Sequence, residues 1–202
     1  MLMEGYLAVA GFVTVAAVTP GPNNLILLGA SAEGGFRAAL APMGGVLAGT
    51  LGLLILSDVG LGYLLVSRPW LQRLLSVAGS SYLLWLGLKM IGAALVARAE
   101  ASGSPKRVLP RTALGVALFQ WLNPKSWIAV LTATAATAGG EPSRDPDWRL
   151  YALFLVIPLA AMTVWVLAGS AIHGQLAQEH RRRWFDATMG ILLVLSAVLL
   201  LI

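Results

Sequence analysis

Six apolar runs, each long enough to cross a bilayer as a helix, are the feature that most restricts the fold of this chain. A transmembrane helix needs about 20 predominantly apolar residues. The runs cover approximately residues 6–28, 43–66, 71–91, 112–135, 150–172 and 185–201. They predict an all-α integral membrane protein that crosses the lipid bilayer six times, and the runs are called spans one to six below.

The composition excludes several classes of protein. Of the 202 residues, 58% are hydrophobic and 11% are charged, whereas soluble domains carry about 25% charged residues. The chain has no cysteine, which excludes disulfides and thiol redox chemistry. Its net charge of +5 comes from basic residues in short segments between apolar runs, as membrane topology requires, so no nucleic-acid partner is expected.

No catalytic or cofactor motif is present, so the chain is not expected to be an enzyme, to hold a cofactor or to hydrolyse ATP. The sequence lacks the nucleophile elbow, the zinc-protease helix motif, the phosphate-binding loop and the dinucleotide fingerprint. His173, Glu179 and His180 lie in a basic loop without further partners at metal-ligand spacing. We expect no metal site there.

A polar stretch at residues 98–111, rich in Ser, Gly and Pro, is predicted to be a flexible linker. It separates a three-span unit at residues 1–97 from a second three-span unit at residues 112–202. The first, third and fifth loops hold nine Lys and Arg residues, and the second and fourth hold four. Cytoplasmic loops are enriched in Lys and Arg, so the linker is predicted to be cytoplasmic and both termini to lie outside.

Span one contains a proline-rich interruption. The run Thr19, Pro20, Gly21, Pro22, Asn23 and Asn24 occurs within an otherwise apolar segment. The two prolines remove two backbone donors and clash with the preceding turn, so the helix is predicted to break here. In hydrocarbon, freed backbone groups are tolerated only where they are buried in protein or line a wet cavity. The alternatives are an interrupted helix that lines a transport site and a kink that neighbouring helices satisfy.

Span four repeats this pattern with Asn123, Pro124 and Lys125, preceded by Gln120. Because three spans precede the linker, a second copy of the unit enters the membrane from the opposite side. The two units are therefore predicted to form a 3+3 inverted repeat. Interrupted segments at corresponding positions of two such halves indicate a transport site near the bilayer midplane.

Three motifs together resemble the LysE/RhtB family of amino-acid exporters. They are Thr19-Pro20-Gly21-Pro22-Asn23, the segment at residues 79–87 (Gly-Ser-Ser-Tyr-Leu-Leu-Trp-Leu-Gly), and Asn123-Pro124-Lys125. The resemblance covers essentially the whole chain. It implies a multi-pass protein of the bacterial cytoplasmic (inner) membrane that exports amino acids or their derivatives, coupled to the proton gradient. One departure lies in span two, where Thr50 follows the second glycine of the pair Gly45 and Gly49, a position that is often acidic in the family.

Two ionisable residues, Asp58 and Lys125, lie well inside the predicted spans. A charge at the centre of a transmembrane helix costs roughly 2.5 to 3.5 kcal/mol on insertion scales, so such residues usually face the protein interior and serve function. Lys125 is a candidate for holding a substrate carboxylate, and Asp58 for binding an ammonium group or the coupling proton. Alternatively, the two residues pair with each other, or Asp58 lies nearer an interface.

The sequence is therefore interpreted as a secondary exporter whose partners are an amino acid or derivative, protons and the lipid bilayer. A homo-oligomer is compatible with the sequence. The alternative is a channel or structural membrane subunit without coupled transport. The predicted transport-site residues are Thr19, Pro20, Gly21, Pro22, Asn23, Asn24, Asp58, Gln120, Asn123, Pro124 and Lys125.

Overall fold

The structure, a computed structural model, describes residues 2–96, 109–137 and 147–201. Within these ranges the chain forms nine α-helices, one π turn and one 3₁₀ turn, and no strand. The first five α-helices are α1 (Leu2–Val18), α2 (Pro22–Ala38), α3 (Leu40–Leu56), α4 (Gly62–Ser67) and α5 (Pro69–Val96). The other four are α6 (Ala113–Leu122), α7 (Pro124–Thr137), α8 (Trp148–Ile172) and α9 (Glu179–Leu199). The π turn is Ser57–Leu61 and the 3₁₀ turn is His173–Ala177.

The described helices are apolar enough for a multi-pass membrane protein. Three of them could cross a bilayer by length and composition, namely Leu40–Leu61, Pro69–Leu95 and Trp148–Ala177. The pair Glu4–Val18 and Pro22–Ala38, bent by 48° at its break, supplies a fourth if it is one span. The predicted fourth span is divided between α6, of ten residues, and α7, of fourteen. Residues 185–199 of the predicted sixth span lie in α9, which begins in a charged segment.

Two predicted segments fall largely outside the described residues. Of the linker at residues 98–111, only Leu109, Pro110 and Arg111 are described. The loop between spans four and five is described only from Asp147 onward. The boundary between the two predicted three-span units therefore remains a prediction.

The buried side chains form two hydrophobic clusters. One includes Leu25, Met43, Leu86 and Leu193, and joins α2, α3, α5 and α9. The other joins α1, α3, α7 and α8. Many large apolar side chains on the outer helix faces are exposed, as expected for helices that lipid surrounds.

Glycines allow the helix backbones to approach closely. A Cβ atom added at Gly45 would lie 2.4 Å from the carbonyl oxygen of Ala113, and one at Gly49 would lie 2.7 Å from Cβ of Gln120. Gly45 and Gly49 of span two therefore seat α3 against α6. At the crossing of α5 and α9, a Cβ at Gly87 would lie 2.7 Å from the carbonyl oxygen of Gly190. Small residues at interfaces are the usual route to helix packing in membranes.

The crossing of α5 and α9 gives a test of this packing. We expect Gly87→Ala to destabilise the protein by about 1 to 3 kcal/mol, as overpacking of a filled interface does. Gly92→Ala in the same helix is the matched control, because a Cβ there meets nothing within 4 Å. Thermal unfolding of the two variants in detergent checks the prediction, and equal midpoints for both would contradict it.

Candidate functional site

The predicted break in span one is present, and the side chain of Asn24 satisfies the freed backbone. Helix α1 ends at Val18 and α2 begins at Pro22, with Gly21 between them in an extended conformation (φ −167°). Asn24 is buried, and its Nδ2 donates to the carbonyl oxygens of Ala17 at 2.8 Å and Thr19 at 3.0 Å. The interruption therefore brings its own hydrogen-bond partner, which hydrocarbon could not supply.

The predicted break in span four is also present. Helix α6 ends at Leu122 and α7 begins at Pro124. Oδ1 of Asn123 accepts from the backbone N–H of Lys125 at 3.1 Å, which caps the first turn of α7. The ring nitrogen of Trp127 donates to the carbonyl oxygen of Trp121 at 2.8 Å. Side chains of the break itself thus replace helical hydrogen bonds that the proline interrupts.

The two breaks contact each other through polar side chains. Nζ of Lys125, from the second break, donates to the carbonyl oxygen of Thr19, in the first, at 3.2 Å. In the other direction, Nδ2 of Asn23 donates to Oε1 of Gln120 at 2.6 Å. Nε2 of Gln120 donates in turn to Oγ1 of Thr50 on α3 at 2.7 Å. Bonds between residues 70 to 106 positions apart in sequence therefore form one polar cluster.

A cavity of about 90 Å³ lies where the breaks meet. Among the described residues of its wall, Lys125 carries the single formal charge. Val13 and Phe154 of one hydrophobic cluster and Val46 and Met162 of the other also line the wall, so the cavity lies between the two clusters. The polar side chains of the wall are Asn23, Asn24, Thr50, Gln120, Asn123, Lys125 and Ser126.

Most of the predicted site residues lie at this cavity. Gly21, Pro22, Asn23, Asn24, Gln120, Asn123 and Lys125 form part of its wall. Three others contribute without lining it. The carbonyl of Thr19 accepts from Lys125, Pro20 lies between α1 and α2, and Pro124 begins α7.

Asp58 is not part of this cluster. It lies in the π turn, where Gly60 adopts a left-handed φ of +97°, and its side chain is exposed. Its Oδ2 accepts from the hydroxyl of Tyr151 on α8 at 2.6 Å. In the described part of the chain, Lys125 forms no ion pair with Asp58, so the structure does not support a pair between the two charges.

Ten wall residues were not among the predicted site residues, namely Val13, Ala16, Ala17, Val46, Thr50, Ser126, Ala129, Phe154, Pro158 and Met162. In the sequence, Thr50 stands out only as a departure from the resembled pattern. Pro158 stands inside α8, and a proline within an apolar run is a signal of the same kind as the two breaks. Phe154 and Met162 have no signal in an apolar helix, because only the tertiary packing selects the face that meets the cavity.

Comparison with known proteins decides the family. The sequence profile of the LysE type translocators matches residues 14–202. The chain belongs to the LysE family. LysE type proteins are translocators and not enzymes, so this chain is a multi-pass membrane protein of a transporter family, as its resemblance and its composition predicted.

Two relatives of this LysE family member align over nearly their whole length. The threonine efflux protein of Escherichia coli (strain K12) is 28% identical over 195 residues, covering 93% of this chain and 92% of the relative. The cysteine/O-acetylserine efflux protein of Salmonella choleraesuis (strain SC-B67) is 29% identical over 190 residues, with the same two shares. No solved structure gives a significant match.

The position of Asp58 leads to a prediction about transport by this translocator. Asp58 is exposed, accepts a hydrogen bond from Tyr151 and is not part of the cavity wall. Asp58→Asn should therefore leave the transport rate close to that of the wild type. Asn keeps an oxygen that can accept from the tyrosine. Transport by the purified variant in liposomes is the measurement. Loss of transport in a variant that unfolds at the wild-type temperature would assign Asp58 a transport role away from the cavity.

Proposed function

We propose that this chain is a secondary transporter that exports amino acids or their derivatives from the cytoplasm, driven by the proton gradient. The family match and the names of the two relatives support amino-acid export. The contact between the two helix breaks at a cavity, with the ammonium group of Lys125 at its wall, is the observation that carries the proposal.

Lys125 is the proposed binding group for the substrate carboxylate. It is half-buried, and its described contacts use one of the three N–H donors, toward Thr19. Helices α2 and α7 begin beside it, at Pro22 and Pro124. Helix N-termini carry partial positive charge, which favours an anion. A carboxylate at this position would thus meet three sources of positive potential.

The six-span, 3+3 inverted repeat remains part of the proposal, and the helix pairings support it. Helices α1 and α2 pack on α8, α3 packs on α6, and α5 packs on α9. In terms of spans, the first pairing joins one and five, the second joins two and four, and the third joins three and six. Exchanging span one with four, two with five and three with six converts the first pairing into the second. The third pairing is unchanged by the exchange. A two-fold axis in the membrane plane would produce this pattern.

An uptake experiment tests the function. Liposomes that contain the purified protein should accumulate at least one of the twenty amino acids, with L-threonine as the first probe, when a pH gradient is imposed. Abolishing the gradient should abolish the accumulation. Leakage that ignores the gradient would favour the alternative, a channel, and the absence of movement for every amino acid would contradict export.

The charge of Lys125 is tested by Lys125→Met, which keeps the length of the side chain and removes its charge. We expect the apparent affinity for the transported amino acid to fall about tenfold or more, since a hydrogen bond to a charged group contributes about 1.5 to 3 kcal/mol. Lys125→Arg should retain part of the affinity. Lys89→Met makes the same chemical change on the exposed face of α5, beside the ring of Trp85, and should leave the affinity unchanged.

The orientation is proposed from the excess of Lys and Arg in the first, third and fifth loops. The chain has no cysteine, so single cysteines can be introduced without further changes. A cysteine at Ser102 should resist an impermeant thiol reagent in intact cells, and one at Pro142 should react. Equal labelling at the two positions would contradict cytoplasmic placement of the linker.

A further inference from the structure

Three side chains from three different helices form a continuous hydrogen-bond chain along the cavity wall. The hydroxyl of Thr50 donates to the carbonyl oxygen of Val46, one turn earlier in α3, at 2.8 Å. The amide nitrogen of Gln120 donates to Oγ1 of Thr50 at 2.7 Å. The amide nitrogen of Asn23 donates to Oε1 of Gln120 at 2.6 Å.

The donor-to-acceptor direction of these three hydrogen bonds is fixed at Thr50. A hydroxyl has one proton, and here the carbonyl of Val46 takes it, so Thr50 can only accept from Gln120. Gln120 must then present its nitrogen to Thr50 and its oxygen to Asn23. The reverse arrangement would direct the Thr50 proton to Gln120 and lose the bond to Val46. The observed direction therefore makes one more hydrogen bond than its reverse.

This direction determines which atom of Asn23, the last residue in the series of hydrogen bonds, is left without a partner. Its nitrogen is used by Gln120, which leaves its Oδ1 as the remaining polar atom. That oxygen is buried and has no hydrogen-bond partner in the described structure. Buried acceptors are normally paired, and one without a partner indicates a missing donor. Asn23 belongs to the cavity wall, so its side chain borders the space in which a ligand would lie.

We propose that Oδ1 of Asn23 accepts a hydrogen bond from the ammonium group of the substrate, and that Thr50 and Gln120 are positioning residues that fix this oxygen as an acceptor. The proposal rests on the proposed function and adds to it the residue that binds the substrate's ammonium group. The ligand carries a primary ammonium group beside the carboxylate that Lys125 binds. The acceptor is an uncharged amide, and the described wall holds no carboxylate. Recognition of the ammonium group therefore relies on the hydrogen bonds from Thr50 through Gln120 that orient Asn23.

Substrates that differ only in the ammonium group test the proposal. (R)-3-hydroxybutanoate is L-threonine with hydrogen in place of the ammonium group, and propanoate bears the same relation to L-alanine. Inhibition constants for all four are measured against uptake of a labelled amino acid by the wild-type protein in liposomes. The amino acid of each pair should bind about tenfold or more tightly than its desamino partner, as expected for a charge-assisted hydrogen bond.

The positioning role is tested in two variants of Thr50, by measuring in each the ratio of the inhibition constants of an amino acid and its desamino partner. Thr50→Val removes the hydroxyl at nearly constant volume, which frees Gln120 and Asn23 to reverse, so the preference for the amino acid should fall severalfold. Thr50→Ser keeps the hydroxyl and should restore the preference. The ratio compares two ligands on one protein, so a general loss of stability does not change it.

The outcomes separate this proposal from the proposed function. Equal binding of amino acid and desamino partner by the wild type, with amino-acid uptake intact, would overturn the role of Asn23 and leave the exporter standing. An unchanged ratio in Thr50→Val would overturn the positioning role. Uptake of no amino acid at all would overturn the proposed function itself. If Thr50→Val does not fold, Asn23→Leu, which removes the acceptor directly, should abolish the preference.

Discussion

The structure depends on one constraint, namely that polar groups of the backbone cannot be left unpaired where lipid replaces water. Prolines at residues 20, 22 and 124 interrupt two helices and free carbonyl groups that a continuous helix would use. Asn24, Trp127 and Lys125 supply the missing donors. Lys125 donates across the molecule to the Thr19 carbonyl that also accepts from Asn24, so donors from both breaks meet at one oxygen atom. The polar cluster is thus a direct product of the interruptions.

The close approach of the helices is the second requirement, because helices in lipid gain little from burying apolar surface against each other. Gly49 brings α3 so close to α6 that a Cβ there would lie 2.7 Å from Gln120. This short separation lets the side chain of Gln120 reach Thr50, the residue that follows Gly49 in α3. Gly79 plays a similar part on α5, where a Cβ would lie 2.1 Å from the carbonyl oxygen of Leu122, at the end of α6. Small residues therefore position the site as well as the helices.

Much of this architecture could be predicted from the sequence because its signals are local. Pro22 and Pro124 disrupt a helix whatever surrounds them, and both breaks were found where expected. The partners of the charges could not be predicted, because Asp58 and Tyr151 are 93 positions apart and meet only through packing of the π turn against α8. The role of Thr50 was hidden for the same reason. A threonine in an apolar helix is common, and only contact with Gln120 distinguishes this one.

The isolated charge in the cavity has an energetic consequence for a transport cycle. A cation within the membrane interior is costly when unpaired, and here Lys125 rests on a neutral carbonyl oxygen at 3.2 Å. A carboxylate bound beside it would pair with this charge, and the proposed amide acceptor would pair the ammonium group at the other end of the zwitterion. The zwitterion adds no net charge, so the loaded cavity differs from the empty one in that Lys125 has an ionic partner. A ligand changes a conformational equilibrium only through its differential affinity for the two states. Pairing Lys125 with a carboxylate would supply such a difference, because enclosing a paired charge costs less desolvation free energy than enclosing an unpaired one.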